Sequence, residues 1–310
     1  MPHASNQYVP LCEIIGMWLS YWAAIASSDT ASCSAPEAPP MPLVTVDGLP
    51  IERPITETHT IDGGRTVHMR QLHDELQLTY VHGLLSTDEI VSLVRLADAR
   101  GGFIRSPVKQ QGGDALKAAD GHRNSSSCPM LWPLVYGSEA LRDRLREQRP
   151  AYVEELELVE RITGRVAALF SAAGMEMSAW QIEPLQLVRY RDAAFFGPHH
   201  DYHAVGADGA LGSSVQGEQR AFTLLLFGTS SKAGEGGETH FPLLRTKVSP
   251  SAGDAVAWAN VDANGEPNPR SLHEGLPPAP GHEKVAINCW IADREFASEG
   301  LAGAYRTTAQ

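Results

Sequence analysis

The side chains that could do chemistry gather in the last two fifths of this 310-residue chain. His199-His200-Asp201 carries an imidazole and a carboxylate two residues apart, and Ser271-Leu272-His273-Glu274-Gly275 brings a further imidazole, with Lys284 shortly after it. In an extended strand, residues two apart face the same side. His199 and Asp201 can therefore reach one metal ion together while His200 turns away. Two imidazoles and a carboxylate make the facial set that leaves positions open on a non-heme Fe(II) ion. The same set could hold a hydrolytic zinc ion, but that reading gives Lys284 no part.

A lone His-x-Asp is commonly a pair of surface polar residues, so neighbouring features carry the argument. Lys284, Ala286, Asn288, Trp290 and Ala292 alternate along a strand-like run and share one face. Lys284 would then point inward with Trp290. A buried ammonium is costly unless it meets an anion, and a bound carboxylate would supply one. Taken alone, Lys284 reads as a solvated lysine at a strand edge.

The elements that must position these residues come in two kinds. Short β-rich runs separated by Gly and Pro predict strands at 185–190, 221–227, 238–241, 255–259 and 285–291, with an earlier one at 76–81. Ser86-Thr87-Asp88-Glu89 reads as a capping box opening a helix through Ile90, Leu93, Val94 and Ala97, ended by Gly101-Gly102. Val153, Leu156, Val159, Ile162, Val166 and Phe170 recur at helical spacing and predict a long amphipathic helix that braces a sheet. Strands following a helical half predict an α+β fold: a double-stranded β-helix (jelly-roll) core, about 181–296, with supporting N-terminal helices. The Gly/Ser-rich run 203–219 has the length of a lid or of a mobile surface insertion. Gly236-Gly237-Glu238-Thr239 reads as a tight turn before a strand.

Residues 14–26 are apolar and end in a small-x-small pattern, as in a signal peptide or anchor, but lack a basic flank and are short for a bilayer span. Residues 27–50, rich in Ser, Ala and Pro, predict an extended linker, the domain occupying 51–296 and a tail 297–310. A net charge of −12 without a basic stripe argues against nucleic acid as partner. Cys12, Cys33, Cys128 and Cys289 are too few and too scattered for a disulfide scaffold. A Cys128–Cys289 bridge is open in an oxidising compartment, with isolated buried thiols as the alternative.

A series of segments resembles the prolyl 4-hydroxylase alpha-subunit family of Fe(II)/2-oxoglutarate dioxygenases. It runs from Leu185-Gln186-Leu187-Val188-Arg189-Tyr190 through Pro198-His199-His200-Asp201-Tyr202 and Gln219-Arg220-Ala221-Phe222-Thr223-Leu224. It continues with Gly236-Gly237-Glu238-Thr239-His240-Phe241-Pro242, Gly253-Asp254-Ala255 and Pro267-Asn268-Pro269-Arg270-Ser271-Leu272-His273, and closes with Lys284 and Trp290. Arg123-Asn124-Ser125-Ser126 resembles an Arg-Thr-Ser loop near the family's substrate channel. The resemblance implies that His199, Asp201 and His273 bind Fe(II). It implies that Lys284 pairs with the distal carboxylate of 2-oxoglutarate, aided by the hydroxyls of Tyr190 and Thr223, and that Trp290 lines the cosubstrate pocket. It further implies O2 as cosubstrate, succinate and CO2 as products, ascorbate as reductant, and a proline-containing protein or peptide as substrate.

Two departures bear on substrate. Phe196 stands where the family has a tyrosine three residues before the first ligand, and Ala292 where a histidine follows the pocket tryptophan. The His273–Lys284 interval is one residue longer than the family's. The same chemistry on another residue or a small molecule, and a noncatalytic 2-oxoglutarate or metal-binding module, are the alternatives. The secretory pathway (endoplasmic reticulum) suits residues 14–26, although the C-terminus carries no retention tetrapeptide; the cytoplasm is the alternative, and membrane anchoring stays open.

Overall fold

The computed structural model describes residues 39, 43–62, 64–106, 122–206, 211–212 and 214–298. The apolar segment 14–26, the linker up to residue 38, residues 40–42, residues 107–121 and the tail from 299 lie outside the described residues. Among those described, no helix is long and apolar enough to cross a membrane.

The N-terminal part supplies strands β1 (Val44–Val46), β2 (Leu49–Pro50), β3 (Glu57–Ile61), β4 (Arg65–His73) and β5 (Leu78–His82). Helix α1 (Thr87–Ala99), strands β6 (Ile104–Arg105) and β7 (Ser126–Pro129), and helices α2 (Glu139–Gln148) and α3 (Pro150–Ala172) follow. The C-terminal part holds eight strands: β8 (Gln186–Tyr190), β9 (Phe196–His199), β10 (Arg220–Phe227), β11 (Thr239–Phe241), β12 (Thr246–Val248), β13 (Ala255–Ala259), β14 (His273–Gly275) and β15 (Lys284–Ala292).

These eight strands divide between two facing sheets. One holds β13-β10-β15-β8 side by side, the other β12-β11-β14-β9. Successive strands alternate between the two sheets, apart from the consecutive β11 and β12, which is the jelly-roll arrangement expected from the sequence. The predicted strands fall within a residue or two of those observed. The N-terminal half is less helical than expected. β3, β4 and β5 extend the larger sheet beyond β13, and β7 and β6 extend it beyond β8, while β1 and β2 lengthen the smaller one.

The linker boundary is corrected by the same observation. Within 27–50, Val44–Val46 pairs antiparallel with β12 and Val44 is fully buried. Val-Thr-Val is a β-branched run whose alternation the surrounding prolines obscure.

Strands β10 and β15 are buried on both faces, and their two-residue period separates two cores. Phe222, Leu224 and Leu226, with Ile287, Cys289 and Ile291, face the helices, packing with Leu93 of α1 and Val159, Ile162 and Val166 of α3. Leu225, Phe227 and Ala286 face the barrel interior, packing with Phe241, Val256 and Trp258. Cys128 and Cys289 are free, buried thiols.

Both helices behave as their patterns predict. Ser86 caps α1 in a complete capping box with Glu89, and Pro150 opens α3 in the first turn, where a missing N–H costs nothing. The buried Arg165 of α3 joins the two. It donates to Glu89 at 2.7 and 2.9 Å, to Asp62 at 2.7 Å and to the Leu84 carbonyl at 2.9 Å. Burial raises the pKa of Glu89, but the bonds from Arg165 and from the Ser86 amide outweigh it and hold it at about 2. Arg165→Met should cost about 2–4 kcal/mol, read as a lower urea midpoint, because it strands two carboxylates and a carbonyl. The contribution of Glu89 should be complete above its ordinary 4.5 and fade as pH falls toward about 2. An acid titration of wild type and Arg165→Met should therefore converge at the low end.

Candidate active site

The register of β9 against β14 places His199 directly opposite His273. Their rings lie 4.3 Å apart, centroid to centroid. Asp201, just past β9, turns inward between them. Its Oδ1 is 3.8 Å from His199 Nε2 and its Oδ2 is 3.6 Å from His273 Nε2. These separations are too long for hydrogen bonds and suit three groups ranged around a common point. Among the described residues, this is the cluster that could hold a metal, with its ligand atoms all within 4.8 Å of one another.

Local bonds fix which nitrogen faces that point. His199 Nδ1 lies 2.8 Å from the Gly197 carbonyl and His273 Nδ1 2.8 Å from the Ser271 carbonyl. A carbonyl only accepts, so each Nδ1 carries the proton and each Nε2 presents a lone pair inward. Burial, and then the facing His273, push the pKa of His199 well down, so its ring is neutral and ready to ligate. Burial pushes Asp201 up, but the two imidazoles, Arg220 and the Thr223 hydroxyl more than offset it and keep the carboxylate ionised. Two imidazoles with one carboxylate fit a divalent ion that prefers mixed nitrogen and oxygen donors.

Apolar walls close around the ligands. Phe196 stacks on His199 at 3.5 Å, and Trp258 and Phe241 flank His273 at 4.7 and 5.9 Å. Arg123, buried, lies 4.2 Å over the other side of Phe196 and donates to Ser125. His200 stays outside the cluster, stacked on Tyr202 with Nδ1 3.2 Å from the Ser271 hydroxyl.

Lys284 is 2% exposed, opposite Tyr190 in the β15–β8 register. Its ammonium donates to Thr239 Oγ1 at 3.3 Å and lies 5.3 Å over the Tyr190 ring. Burial lowers its pKa to about 7, with nearby Glu238 pulling the other way. The barrel interior thus holds a cation with one neutral hydroxyl bound to it, a site prepared for an anion. Trp290 shares that face. Arg220 stacks on it at 3.7 Å while bound to Glu183 at 2.6 and 2.7 Å, and its indole N–H is buried without a hydrogen bond.

Thr223 is placed otherwise than the resemblance implies. Its hydroxyl bonds Asp201 Oδ2 at 2.8 Å and Asn260 Nδ2 at 2.8 Å. It lies opposite Trp290 in the β10–β15 register, six residues along β15 from Lys284. The hydroxyl on Lys284 is that of Thr239, hidden in a motif that reads as a turn. The turn reading also holds: Gly236 and Gly237 have φ of +71° and +78°. A Cβ on Gly236 would lie 2.5 Å from the Pro277 carbonyl, and one on Gly237 3.5 Å from Lys284.

The loop 203–219, apart from 207–210 and 213, is pinned at its base. Gln219 accepts from the His203 amide at 2.6 Å and donates to its carbonyl at 3.0 Å. The Glu218 carboxylate accepts from Ser214, Val215 and Gln216 at 2.6–2.8 Å.

A family model of the 2OG-Fe(II) oxygenase superfamily matches residues 185–292, the span holding the eight strands and the cluster. Over that span, about a third of its length, the chain is similar to the superfamily. Prolyl 4-hydroxylase 1 of Arabidopsis thaliana is 31% identical over 150 residues, 44% of this chain and 48% of that protein. Prolyl 4-hydroxylase subunit alpha-1 of Homo sapiens is 30% identical over 162 residues, 52% of this chain and 29% of that protein. The matched region thus spans about half of the first and under a third of the second. The solved viral collagen prolyl hydroxylase of Paramecium Bursaria Chlorella virus-1, in its 2OG complex, aligns with a TM-score of 0.44 and 21% identity. That alignment covers 69% of this chain and 95% of the viral one.

The Gly236 turn gives a direct test of how Lys284 is held. Gly236→Ala should cost at least about 1–2 kcal/mol from left-handed backbone alone, and more from the overlap with Pro277. Chemical denaturation checks it, with Gly234→Ala (φ +85°, no neighbour within 4 Å) showing the backbone cost by itself.

Proposed function

We propose that this chain is an Fe(II)/2-oxoglutarate-dependent dioxygenase that hydroxylates a prolyl residue in a protein or peptide. One observation carries the reading: an inward-facing His199/Asp201/His273 cluster shares a barrel with a buried, anion-seeking Lys284. The relatives named prolyl 4-hydroxylases support the substrate class.

In this reading His199, Asp201 and His273 hold Fe(II). Lys284 and Thr239 receive the distal carboxylate of 2-oxoglutarate, with Tyr190 walling the same space. When bound, the iron and 2-oxoglutarate supply activation of O2 and transfer of one oxygen to a C–H bond, with succinate and CO2 as coproducts. The protein's own work is positional. The Gly197 and Ser271 carbonyls hold both imidazoles in the ligating tautomer, and the Phe196, Phe241 and Trp258 rings keep water from the ligands. Lys284 holds a proton for an incoming carboxylate. A hydroxylase of other residues or small molecules is the second reading, favoured by Phe196. That ring is already sandwiched between His199 and Arg123 and offers a substrate no hydroxyl.

Succinate release should require Fe(II), be sustained by ascorbate, rise with a proline-rich peptide and vanish in His199→Ala. Turnover indifferent to peptide would redirect the search to other substrates, and no metal-dependent succinate from folded, iron-loaded protein would refute the dioxygenase reading. Lys284→Met should keep metal binding but weaken 2-oxoglutarate binding tenfold or more, since charged hydrogen bonds contribute about 1.5–3 kcal/mol. A carboxylate partner favours protonated Lys284, so its binding should be strongest below about 7 and weaken as pH rises through that value. Calorimetry in buffers of different ionisation enthalpy should show proton uptake near neutrality that Lys284→Met abolishes.

A further inference from the structure

Behind Asp201 runs a chain of buried hydrogen bonds whose direction is forced at every link. Trp258 Nε1 lies 3.0 Å from Asn260 Oδ1, Asn260 Nδ2 lies 2.8 Å from Thr223 Oγ1, and Thr223 Oγ1 lies 2.8 Å from Asp201 Oδ2. Trp258 is 1% exposed, Asn260 and Thr223 are fully buried, and Asp201 is 7% exposed. An indole N–H can only donate, so the Asn260 atom facing it is the carbonyl oxygen. The Asn260 amide nitrogen therefore faces Thr223 and donates to it. A hydroxyl has one proton, and with Asn260 occupying an acceptor position, that proton goes to Asp201.

We propose that Asn260 is a positioning residue for the metal centre, fixing the Thr223 hydroxyl as a donor to Asp201. The proposal rests on His199, Asp201 and His273 binding a metal. Among the described residues, Thr223 alone donates a side-chain hydrogen bond to the Asp201 carboxylate. Without Asn260 the threonine proton has other directions to choose, and the carboxylate loses its fixed orientation. Trp258 serves twice: it sets the Asn260 amide and its ring lies 4.7 Å from that of His273. The relay thus ties the carboxylate ligand and one imidazole ligand to a single indole.

The test is Co(II) binding by the full chain, followed through its visible absorption, in wild type, Asn260→Leu, Thr223→Val and the double variant. Asn260→Leu keeps the volume and removes the direction. It should weaken Co(II) binding about tenfold, the low end for residues that orient metal ligands. The double variant should be no weaker than Thr223→Val alone, because Asn260 acts through Thr223. Unchanged affinity in Asn260→Leu, or the same loss in both backgrounds, would overturn the relay while leaving the metal site standing. Failure of the wild type to bind Co(II) would instead overturn the metal reading, and the relay with it. If Asn260→Leu does not fold, Asn260→Asp takes its place. It is isosteric, can still accept from Trp258, and competes with Asp201 for the Thr223 proton. Weakened Co(II) binding there supports the relay, and wild-type affinity refutes it.

Discussion

The register of β9 against β14 is the constraint on which the rest of the site depends. Side chains alternate across a strand, so a slip of one residue would send an imidazole to the opposite face. Both strands are short and β9 lies at the sheet edge, so hydrogen bonding alone specifies the pairing weakly. Contacts at Gly197 and Phe196 add the missing definition. The Gly197 amide donates to the His122 carbonyl at 2.7 Å, and a Cβ at Gly197 would lie 3.0 Å from the His122 ring. Phe196 is held between Arg123 and His199. The segment 122–125 thus clamps β9 two and three residues before His199.

Against that fixed edge, the opposite sheet supplies charge control. Lys284, Thr223 and Trp290 all face inward from β10 and β15 because the other faces of those strands are sealed by α1 and α3. Two-sided burial removes solvent from the interior, and the missing solvent gives both ionic features their character. It lowers the pKa of Lys284 to about 7 and makes the single Thr223 bond to Asp201 count for more than it would in water. The supporting helices therefore act on the chemistry at a distance, through the dielectric rather than through contact.

Much of this was legible in the sequence where a feature depended on local pattern. The capping box at Ser86, the α3 stripe and the alternation of Lys284 to Trp290 each follow from nearest neighbours, the His199/Asp201 pair follows from its two-residue spacing, and the family resemblance adds His273. What escaped depends on partners remote in sequence. β1 is recognisable only because β12 lies beside it. β3 and β4 are polar-rich hairpin strands, with Thr58, His59, His68 and Gln71 facing outward or half-buried, and their pattern is weak outside the sheet.

The placement of Thr223 and Thr239 shows the limit most sharply. Both are threonines on inward-facing strand positions and both are fully or almost fully buried, so neither residue type nor periodicity separates them. What separates them is position along the barrel. Thr223 pairs with Trp290, near the far end of β15, whereas Thr239 reaches Lys284 at its start. Sheet register, which no single segment encodes, decides which hydroxyl meets the ammonium and which meets the carboxylate. The polar Asn260 immediately after the apolar run 255–259 is the one local sign of this division. A fully buried amide at a strand end must satisfy its hydrogen bonds among interior groups, and the interior group it finds is the threonine that serves Asp201.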